Sequence, residues 1–305
     1  MGQLSFIISG SNGYTADFLI NSLKNKYPDS CLIGIDIAPT TSRLNLHKYY
    51  STSNLHLLRE EIIKHKNIYF FHLGGLVFSN DIKDLFENNV VWTEKYINLL
   101  SGCNIKCFIN IGSSAEYGFQ DQVNVSEDFP PNPITNYGVS KLSQYYIAKS
   151  LSIRENLPLI HLRTFNLVGP NLNSKLVCGK IIKDLIHIKK GVINEIEFEG
   201  SDTRRDLIDV RDAVEAYIQL AFNGTPGEIY NIGSGKSWSL SDLIKLLESI
   251  TNFKINISFK NKKIEYIKDQ IASTRKINST FSWIKEFPIE KSLNDMYRYG
   301  EKHFE

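Results

Sequence analysis

The sequence is poor in cysteine, and its four cysteines are scattered along 305 residues at Cys31, Cys103, Cys107 and Cys178. None of them is accompanied by histidine or further cysteine at the spacing of metal ligands, so we predict no metal site. Because disulfide frameworks belong to oxidising compartments, so sparse a set predicts free thiols in a reducing one. We therefore expect a cytoplasmic protein.

Long apolar runs are also missing. No stretch reaches the ~18 consecutive apolar residues that a membrane-spanning helix needs. The N-terminus enters a strand-like segment at Leu4 with neither a basic region nor a cleavage site before it. We therefore expect no signal peptide and no contact with a membrane.

The chain has no excess of charge of either sign, since its net charge is +2 and its isoelectric point is near 8.2. Short basic runs such as Lys189-Lys190 and Lys262-Lys263 are expected to be solvated faces, so we predict no nucleic-acid partner. Hydrophobic residues make up 42% of the chain and charged residues 22%. This balance is typical of a globular protein with a well-buried core.

What the sequence does contain is a regular alternation of apolar strands and helical stretches. Apolar runs that predict buried strands lie at residues 4–8, 31–35, 67–73, 106–111 and 159–163. This order predicts an α/β fold, a doubly wound parallel Rossmann sheet over residues 1–165. The rhythm changes afterwards, which predicts a smaller C-terminal α/β substrate-binding domain over 166–305, with about 201–235 partly returning to the first domain.

A glycine turn joins the first predicted strand to the first helix. Gly10 permits a tight turn, and Gly13 lets the backbone approach a pyrophosphate at the helix N-terminus, where the helix dipole favours an anion. Ala16 is small enough for close packing of helix on strand. Asp36 ends the second strand, 23 residues after Gly13 and close to the ~20 expected for the acid that binds an adenosine ribose. The pattern predicts a dinucleotide site rather than a bare turn.

Two later strands also end in residues suited to a ligand. Gly74 and Gly75 follow the strand at 67–73, and glycines there allow a ligand to approach the backbone. Ser113 and Ser114 follow the strand at 106–111, where hydroxyl groups face the crevice of an open parallel sheet; ordinary turn chemistry is the alternative. We interpret His72, in an apolar strand, as a hydrogen-bonded core residue.

Tyr137 and Lys141 are four residues apart at the start of a predicted helix, so their side chains share one face. A phenol beside an ammonium group is a plausible acid/base unit, because the cation favours the phenolate and lowers the tyrosine pKa from ~10 toward neutrality. Alone the pair is unspecific, and a solvated helix edge is the commoner meaning of this spacing. The preceding glycine and serine turns favour the catalytic interpretation.

Taken together and in this order, these motifs resemble the extended short-chain dehydrogenase/reductase family, the NAD-dependent epimerases and dehydratases that act on nucleotide sugars. The resemblance covers nearly the whole chain and includes Arg163 to Pro170, Arg205-Asp206 and Asn231 to Gly235. The turn Gly112 to Gly118 and the segment Asp209 to Asp212 look most like the GDP-4-keto-6-deoxy-mannose reductases.

The resemblance implies a role for each matching residue. Tyr137 is the general acid/base, Lys141 holds the nicotinamide ribose, and Ser113, or Ser114 if the turn is one residue short, hydrogen-bonds the reacting oxygen. The further cofactor contacts that it implies are Asn12, Tyr14, Ile37, Leu73 and Asn89. The substrate contacts that it implies are Glu116, Asn166, Arg205 and Lys263. It also implies a homodimer formed through the helices that contain Tyr96 and Tyr145.

Some departures from the family pattern narrow the reaction. The acid of the 4,6-dehydratases is replaced by Ala115, and Glu116 comes one residue later. We therefore expect reduction of the 4-keto group of an NDP-4-keto-6-deoxy-hexose, GDP-linked, for surface polysaccharides. An epimerase with retained NAD+ is the alternative, a 4,6-dehydratase is less favoured, and a non-catalytic nucleotide sensor is the outsider. Asp36 favours NAD(H), because a carboxylate repels a 2′-phosphate; NADP(H) stays possible.

Overall fold

The structure is a computed structural model that describes residues 3–260 and 267–304. Its strands, in chain order, are β1 Leu4–Ser9, β2 Cys31–Asp36, β3 Lys48–Ser51, β4 Asn67–His72, β5 Ile105–Ile111, β6 Asn124–Val125, β7 Leu159–Thr164, β8 Asn166–Val168, β9 Ile196–Glu199, β10 Arg204–Asp209, β11 Ile229–Ile232, β12 Ser237–Ser239, β13 Ile257–Lys260 and β14 Ile271–Ala272. Its α-helices are α1 Tyr14–Lys26, α2 Leu55–Ile62, α3 Ile82–Phe86, α4 Trp92–Leu99, α5 Asn136–Arg154, α6 Val177–Lys189, α7 Val210–Asn223, α8 Leu240–Thr251, α9 Arg275–Thr280 and α10 Ile289–His303.

Seven strands form one parallel sheet in the order β11-β7-β5-β4-β1-β2-β3. The chain runs outward from β1 to β3, returns to β4 on the other side of β1, and then proceeds toward β11. The strand order therefore reverses between β1 and β4. In open parallel sheets a ligand crevice lies at such a reversal, beyond the carboxyl ends of the strands.

Helices cover both faces of this sheet, so the predicted doubly wound fold is confirmed. Phe6 and Ile8 of β1 are fully buried toward the face that α1 and α7 cover. Ile7, between them, is buried in the cluster on the opposite face, with α2, α4 and α5. Successive strand residues point to opposite faces, so burial on both sides requires the continuous apolar runs seen in the sequence.

The remaining strands form three small sheets, β12-β10-β8, β13-β9 and β14-β6. A separate hydrophobic cluster fills the space between β9 and the helices α6, α8 and α10. Ser239 caps α8, since its side chain accepts a hydrogen bond from the Asp242 amide at 3.1 Å. Within the stretch 201–235, β11 joins the large sheet and α7 packs against its face. The division of the chain at residue 165 stays a prediction.

The structure differs from the sequence-based prediction mainly in short elements. Strand β13 begins only at Ile257, because Asn252 adopts a left-handed conformation that ends α8 and the chain needs further residues to turn back. A π-helical turn at Glu87–Val91 separates α3 from α4. Strands of two or three residues, such as β6 and β14, leave no detectable periodicity in a sequence. Within the described ranges, no helix is both long and apolar enough to span a membrane.

We expect Gly10→Ala to destabilise the fold more than Gly102→Ala does. Both glycines have a left-handed backbone, with φ of +68° and +72°. A methyl group at position 102 meets nothing within 4 Å, whereas one at position 10 lies 2.7 Å from the Gly74 backbone. The left-handed conformation costs about 1–2 kcal/mol in both variants, and the clash adds about 1–3 kcal/mol at Gly10 alone. Urea denaturation measures the difference; equal losses would show that β1 and β4 can move apart.

Candidate active site

A cavity of about 780 Å³ lies at the carboxyl ends of the parallel strands, between the large sheet and the smaller unit. Residues of both units line it, so neither alone encloses the site. The predicted site residues among its walls are Tyr14, Leu73, Gly75, Asn89, Ser113, Ser114, Tyr137, Lys141, Asn166 and Arg205. A large concave pocket with a few convergent polar groups is the usual form of a small-molecule site. Lys263 lies outside the described residues.

The glycine turn after β1 lies beside this cavity. Gly10 packs so closely on Gly74 that neither backbone leaves room for a side chain at position 10. The Gly13 amide donates to the Gly10 carbonyl at 2.9 Å, which closes the turn, and no side chain caps the N-terminus of α1. The free backbone amides and the helix dipole at this uncapped N-terminus of α1 favour an anion such as a pyrophosphate.

Asp36 ends β2 next to this turn, where its carboxylate accepts a hydrogen bond from the Asn12 amide at 2.9 Å. Ile37 follows with an exposed side chain. The sequence reasoning missed Arg43, which donates to the carbonyls of Asn12 and Gly13 at 3.0 and 3.2 Å. Arg43 comes from an irregular loop, so periodicity did not identify it. The turn therefore carries both an acid that suits a free ribose and a cation that suits a phosphate.

Asn89 lies on the π-helical turn and fastens the loop after β4. Its side chain accepts from the Leu76 amide at 2.7 Å and donates to the Leu76 carbonyl at 3.0 Å and to Ser140 at 2.8 Å. A side chain on Gly75 would lie 2.8 Å from the Asn89 oxygen, so glycine is required for this approach. π-Helical turns often occur at functional sites. This turn fixes the loop of Gly74 and Gly75 against α5.

His72 is a core residue, as interpreted from the sequence. Its two ring nitrogens lie 2.6 Å from the Ser9 hydroxyl and 2.8 Å from the Thr93 hydroxyl. Burial lowers the pKa of His72 to about 3, so the imidazole is uncharged at neutral pH.

Tyr137 and Lys141 lie in the first turns of α5, which Thr135 caps by accepting from the Gly138 amide at 3.0 Å. Lys141 is 6% exposed, and its ammonium group donates to the Ile111 carbonyl at 2.6 Å. Burial lowers the pKa of Lys141 to about 8, against the raising effect of Glu116. The lysine is thus a desolvated cation anchored to the end of β5.

The expected lowering of the Tyr137 pKa is wrong for this structure. Burial is the larger effect and raises the pKa of Tyr137 to about 12, while a hydrogen bond with Ser113 acts in the opposite direction. Desolvation disfavours a phenolate more strongly than the nearby groups stabilise it. Tyr137 therefore keeps its proton at neutral pH, which suits an acid that donates it during the reaction.

Of the two candidate serines, Ser113 is the one that hydrogen-bonds Tyr137. It also caps the short helical turn Ser114–Glu116 by accepting from the Ala115 amide at 3.1 Å. Ser114 is 8% exposed and lines the cavity beside it.

Glu116 does not reach the cavity, so the prediction that it contacts substrate is corrected. It is fully buried, and its carboxylate accepts from the Ser113 amide at 2.8 Å and from Arg163 at 3.0 Å. His161, a residue that the sequence reasoning did not single out, lies 3.0 Å from the same carboxylate. A one-residue displacement from the dehydratase acid turns this side chain into the protein.

Asn166 and Arg205 approach the cavity from the smaller unit. Asn166 donates to the Asp206 carbonyl at 3.2 Å, and Arg205 donates to the Arg204 carbonyl at 2.7 Å. The buried Asp206 carboxylate accepts from the amides of Ser234, Gly235 and Ala272, so it orders the loop after β11. This loop and β10 place a guanidinium group, which binds phosphate oxygens in a fork, on the cavity wall.

A doubly wound sheet with a dinucleotide turn, a Ser–Tyr–Lys set and a cavity wall from a second unit defines a nicotinamide-dependent oxidoreductase. Residues 6–233 match the NAD dependent epimerase/dehydratase family, and the chain belongs to that family. It is an enzyme, which removes the hypothesis of a non-catalytic sensor. The family supports the prediction of NAD(H), with NADP(H) possible. The described residues contain no cluster suited to a metal ion.

Three known proteins illustrate the range of reactions among its relatives. GDP-6-deoxy-D-mannose reductase of Pseudomonas aeruginosa is 28% identical over 61% of this chain and 63% of its own length. dTDP-D-glucose 4,6-dehydratase of Mus musculus is 25% identical over 98% of this chain and 89% of its own. The structure of UDP-glucuronic acid 4-epimerase from Bacillus cereus has a TM-score of 0.85 at 22% identity, covering 98% of this chain and 99% of that one. That structural likeness supports the fold.

We expect Tyr137→Phe to lower kcat about 10²–10⁴-fold, because a positioned proton donor contributes about that much to a rate. Turnover of a nucleotide sugar is followed by NADH or NADPH absorbance. Thermal stabilisation by the cofactor should change little, since the phenyl ring keeps its place. Tyr299→Phe, on the distant helix α10, is the control and should retain wild-type kcat. If Tyr137→Phe retained it as well, Tyr137 would not be the acid.

Proposed function

We propose that the enzyme reduces the 4-keto group of an NDP-4-keto-6-deoxy-hexose, with GDP as the favoured nucleotide, in the biosynthesis of surface-polysaccharide sugars. The observation that carries the proposal is the convergence of Ser113, Tyr137 and Lys141 on one wall of the cavity. The relation to GDP-6-deoxy-D-mannose reductase supports the substrate class.

The site residues account for the reduction step by step. NADH or NADPH, when bound, would supply the hydride that carbon 4 of the sugar receives. The 4-keto oxygen gains negative charge in this step, and the hydroxyl groups of Ser113 and Tyr137 would hydrogen-bond it. Tyr137 then donates its proton to that oxygen. Lys141, whose ammonium group donates to the Ile111 carbonyl, would stabilise the phenolate that Tyr137 becomes and would bind the nicotinamide ribose.

Dehydration is disfavoured because elimination of a hydroxyl group needs an acid near the sugar. Ala115 stands where the dehydratases have that acid, and Glu116 is buried behind the turn. Among the described residues of the cavity wall, the carboxylates are Glu197 and Glu199 on β9, in the smaller unit. Epimerisation with retained NAD+ is the remaining alternative, in which Tyr137 would act first as a base and then as an acid.

The wild-type enzyme should consume NADH or NADPH in the presence of GDP-4-keto-6-deoxy-mannose, one equivalent for each ketone reduced. The purified protein should also show no tightly bound NAD+ in its ultraviolet spectrum after gel filtration. NADH should be at least as effective as NADPH, since Asp36 repels a 2′-phosphate; Arg43→Ala should lower activity with NADPH more than with NADH. If the purified protein retained NAD+ and interconverted UDP-sugars without net consumption of cofactor, the enzyme would be an epimerase and the reductase proposal would be wrong.

We also propose a homodimer, formed through the helices α4 and α5 that contain Tyr96 and Tyr145. Tyr96 and Tyr145 are 4% and 7% exposed, so they belong to the core of the subunit. The exposed apolar residues of α5 are Val139, Tyr146, Ile147 and Ile153. Their spacing places several of them on one face of a long helix, where a second copy of the same helix can cover them.

Light scattering should therefore give twice the 34.8 kDa mass of the chain. Ile147→Glu, which places a charge within the proposed interface, should shift the protein toward the monomer. Ile284→Glu replaces an exposed isoleucine far along the chain and should remain dimeric. A wild-type monomer at micromolar concentration, or equal dissociation of both variants, would exclude this interface.

A further inference from the structure

A fully buried group of charged side chains lies directly behind the serine turn. Glu116, His161 and Arg163 are 0%, 1% and 2% exposed. Arg163 donates to the Glu116 carboxylate at 3.0 Å, and its guanidinium group lies over the Tyr117 ring at 4.4 Å. Although burial acts to raise the pKa of Glu116, His161, Arg163 and the Ser113 amide hold it below its usual range. Glu116 therefore carries a negative charge beneath the site.

The hydrogen bonds of His161 have a defined direction. The Asn110 amide donates to its Nδ1 at 3.0 Å, so Nε2 carries the proton and donates to Glu116 at 3.0 Å. The Asn110 oxygen in turn accepts from Gln144 at 2.6 Å. Gln144 is on α5, one turn after Lys141.

These hydrogen bonds connect Lys141, at one end of the catalytic set, with Ser113 at the other. Gln144 and Lys141 both approach the Ile111 carbonyl, at 3.5 and 2.6 Å. At the other end, Glu116 accepts from the backbone amide of Ser113 at 2.8 Å. A continuous buried path therefore runs from the Ser113 backbone through Glu116, His161, Asn110 and Gln144 to the lysine anchor. The sequence accommodates it with Gly112, where a side chain would lie 2.3 Å from Glu116 and 2.4 Å from His161.

A buried carboxylate is costly unless every oxygen is hydrogen-bonded, and apolar residues of similar volume would stabilise β5 and β7 as well. Stability alone therefore does not explain why a charged residue, Glu116, occupies this buried position. Its bond to the amide of Ser113, the residue that contacts Tyr137, indicates the purpose.

We infer that Glu116 is a positioning residue of the active site, which acts with His161 to hold the Ser113 turn in register with Tyr137 and Lys141. The inference rests on the proposed function in one respect: reduction of a sugar ketone is the reaction in which kcat and KM of the variants are measured. Glu116 touches neither substrate nor cofactor in this role. It sets where the Ser113 hydroxyl lies and supplies the negative charge that faces the lysine.

Glu116→Gln and His161→Leu test this inference, with Asp212→Asn as a matched control. Asp212 is also a buried carboxylate, 3% exposed, that accepts from two backbone amides, those of Glu286 and Phe287, on the far side of α7. His161→Leu breaks the path but leaves the ion pair of Glu116 with Arg163, so it keeps the test available if Glu116→Gln does not fold. His161→Gln can donate to Glu116 and accept from Asn110, and serves as the rescue variant.

Glu116→Gln and His161→Leu should lower kcat about 10–100-fold, since a displacement of about 1 Å at a catalytic group has that effect. KM and cofactor affinity should change less than about threefold, because no binding contact is removed. His161→Gln should recover most of kcat. Asp212→Asn should keep wild-type kcat even where it lowers the melting temperature as much as the other variants do.

Glu116→Gln should also move the alkaline limb of the pH–rate profile to lower pH. The titratable groups that act on Lys141 are Glu116 and the imidazoles of His72 and His161. Burial lowers the pKa of both imidazoles, so Glu116 is the charge that keeps the lysine protonated. Without it the pKa of Lys141 falls further, and the cation is lost at a lower pH.

The outcomes separate this inference from the proposed function. If the wild-type enzyme epimerises sugars and reduces none, the reductase proposal fails, and the variants are compared with wild type in epimerisation. A crystal structure of Glu116→Gln provides a substrate-free measurement, in which the Ser113 hydroxyl should be displaced from Tyr137. An unchanged kcat in Glu116→Gln and His161→Leu, or an equal loss in Asp212→Asn, would overturn the positioning role. A raised KM at unchanged kcat would do so too and would make Glu116 a binding residue.

Discussion

The structure depends on the close approach of β1 and β4 where the strand order reverses. Gly10 and Gly74 meet there with no room for a methyl group between their backbones. Because the strand order reverses at this contact, a crevice lies beyond the strand ends. The dinucleotide turn, the loop held by Asn89 and the serine turn all border it. A larger residue at position 10 would separate the strands and misplace each of these segments.

Burial is the second factor, and it shifts the pKa values of Tyr137 and Lys141 in opposite directions. It raises the pKa of Tyr137 to about 12 and lowers that of Lys141 to about 8. Both shifts have the same cause, since desolvation disfavours whichever form is charged. The carboxylate of Glu116, itself held by His161 and Arg163, partly compensates at the lysine. The protonation states of the site therefore belong to a network that extends behind the visible cavity.

The smaller unit completes the cavity by supplying its second wall. Its strands are short, and buried polar groups, above all Asp206 with its three backbone amide donors, hold its loops in place. Such loops present Arg205 and Asn166 to the cavity. The segments that carry these two side chains are thus ordered by buried hydrogen bonds.

Local patterns in the sequence predicted the parallel sheet, the glycine turn, Asp36 at the end of β2 and the four-residue spacing of Tyr137 and Lys141. These patterns are apolar runs of strand length, glycine spacing and a four-residue helical repeat. Packing against distant parts of the chain explains three further features: Glu116 points inward to His161 and Arg163, Arg43 lies on the dinucleotide turn, and burial raises the pKa of Tyr137. Each of these depends on residues far apart in the chain, 45 positions in the case of Glu116 and His161. No local pattern carries a desolvation energy or the partner of a buried charge, because both are set by what the rest of the chain packs around them.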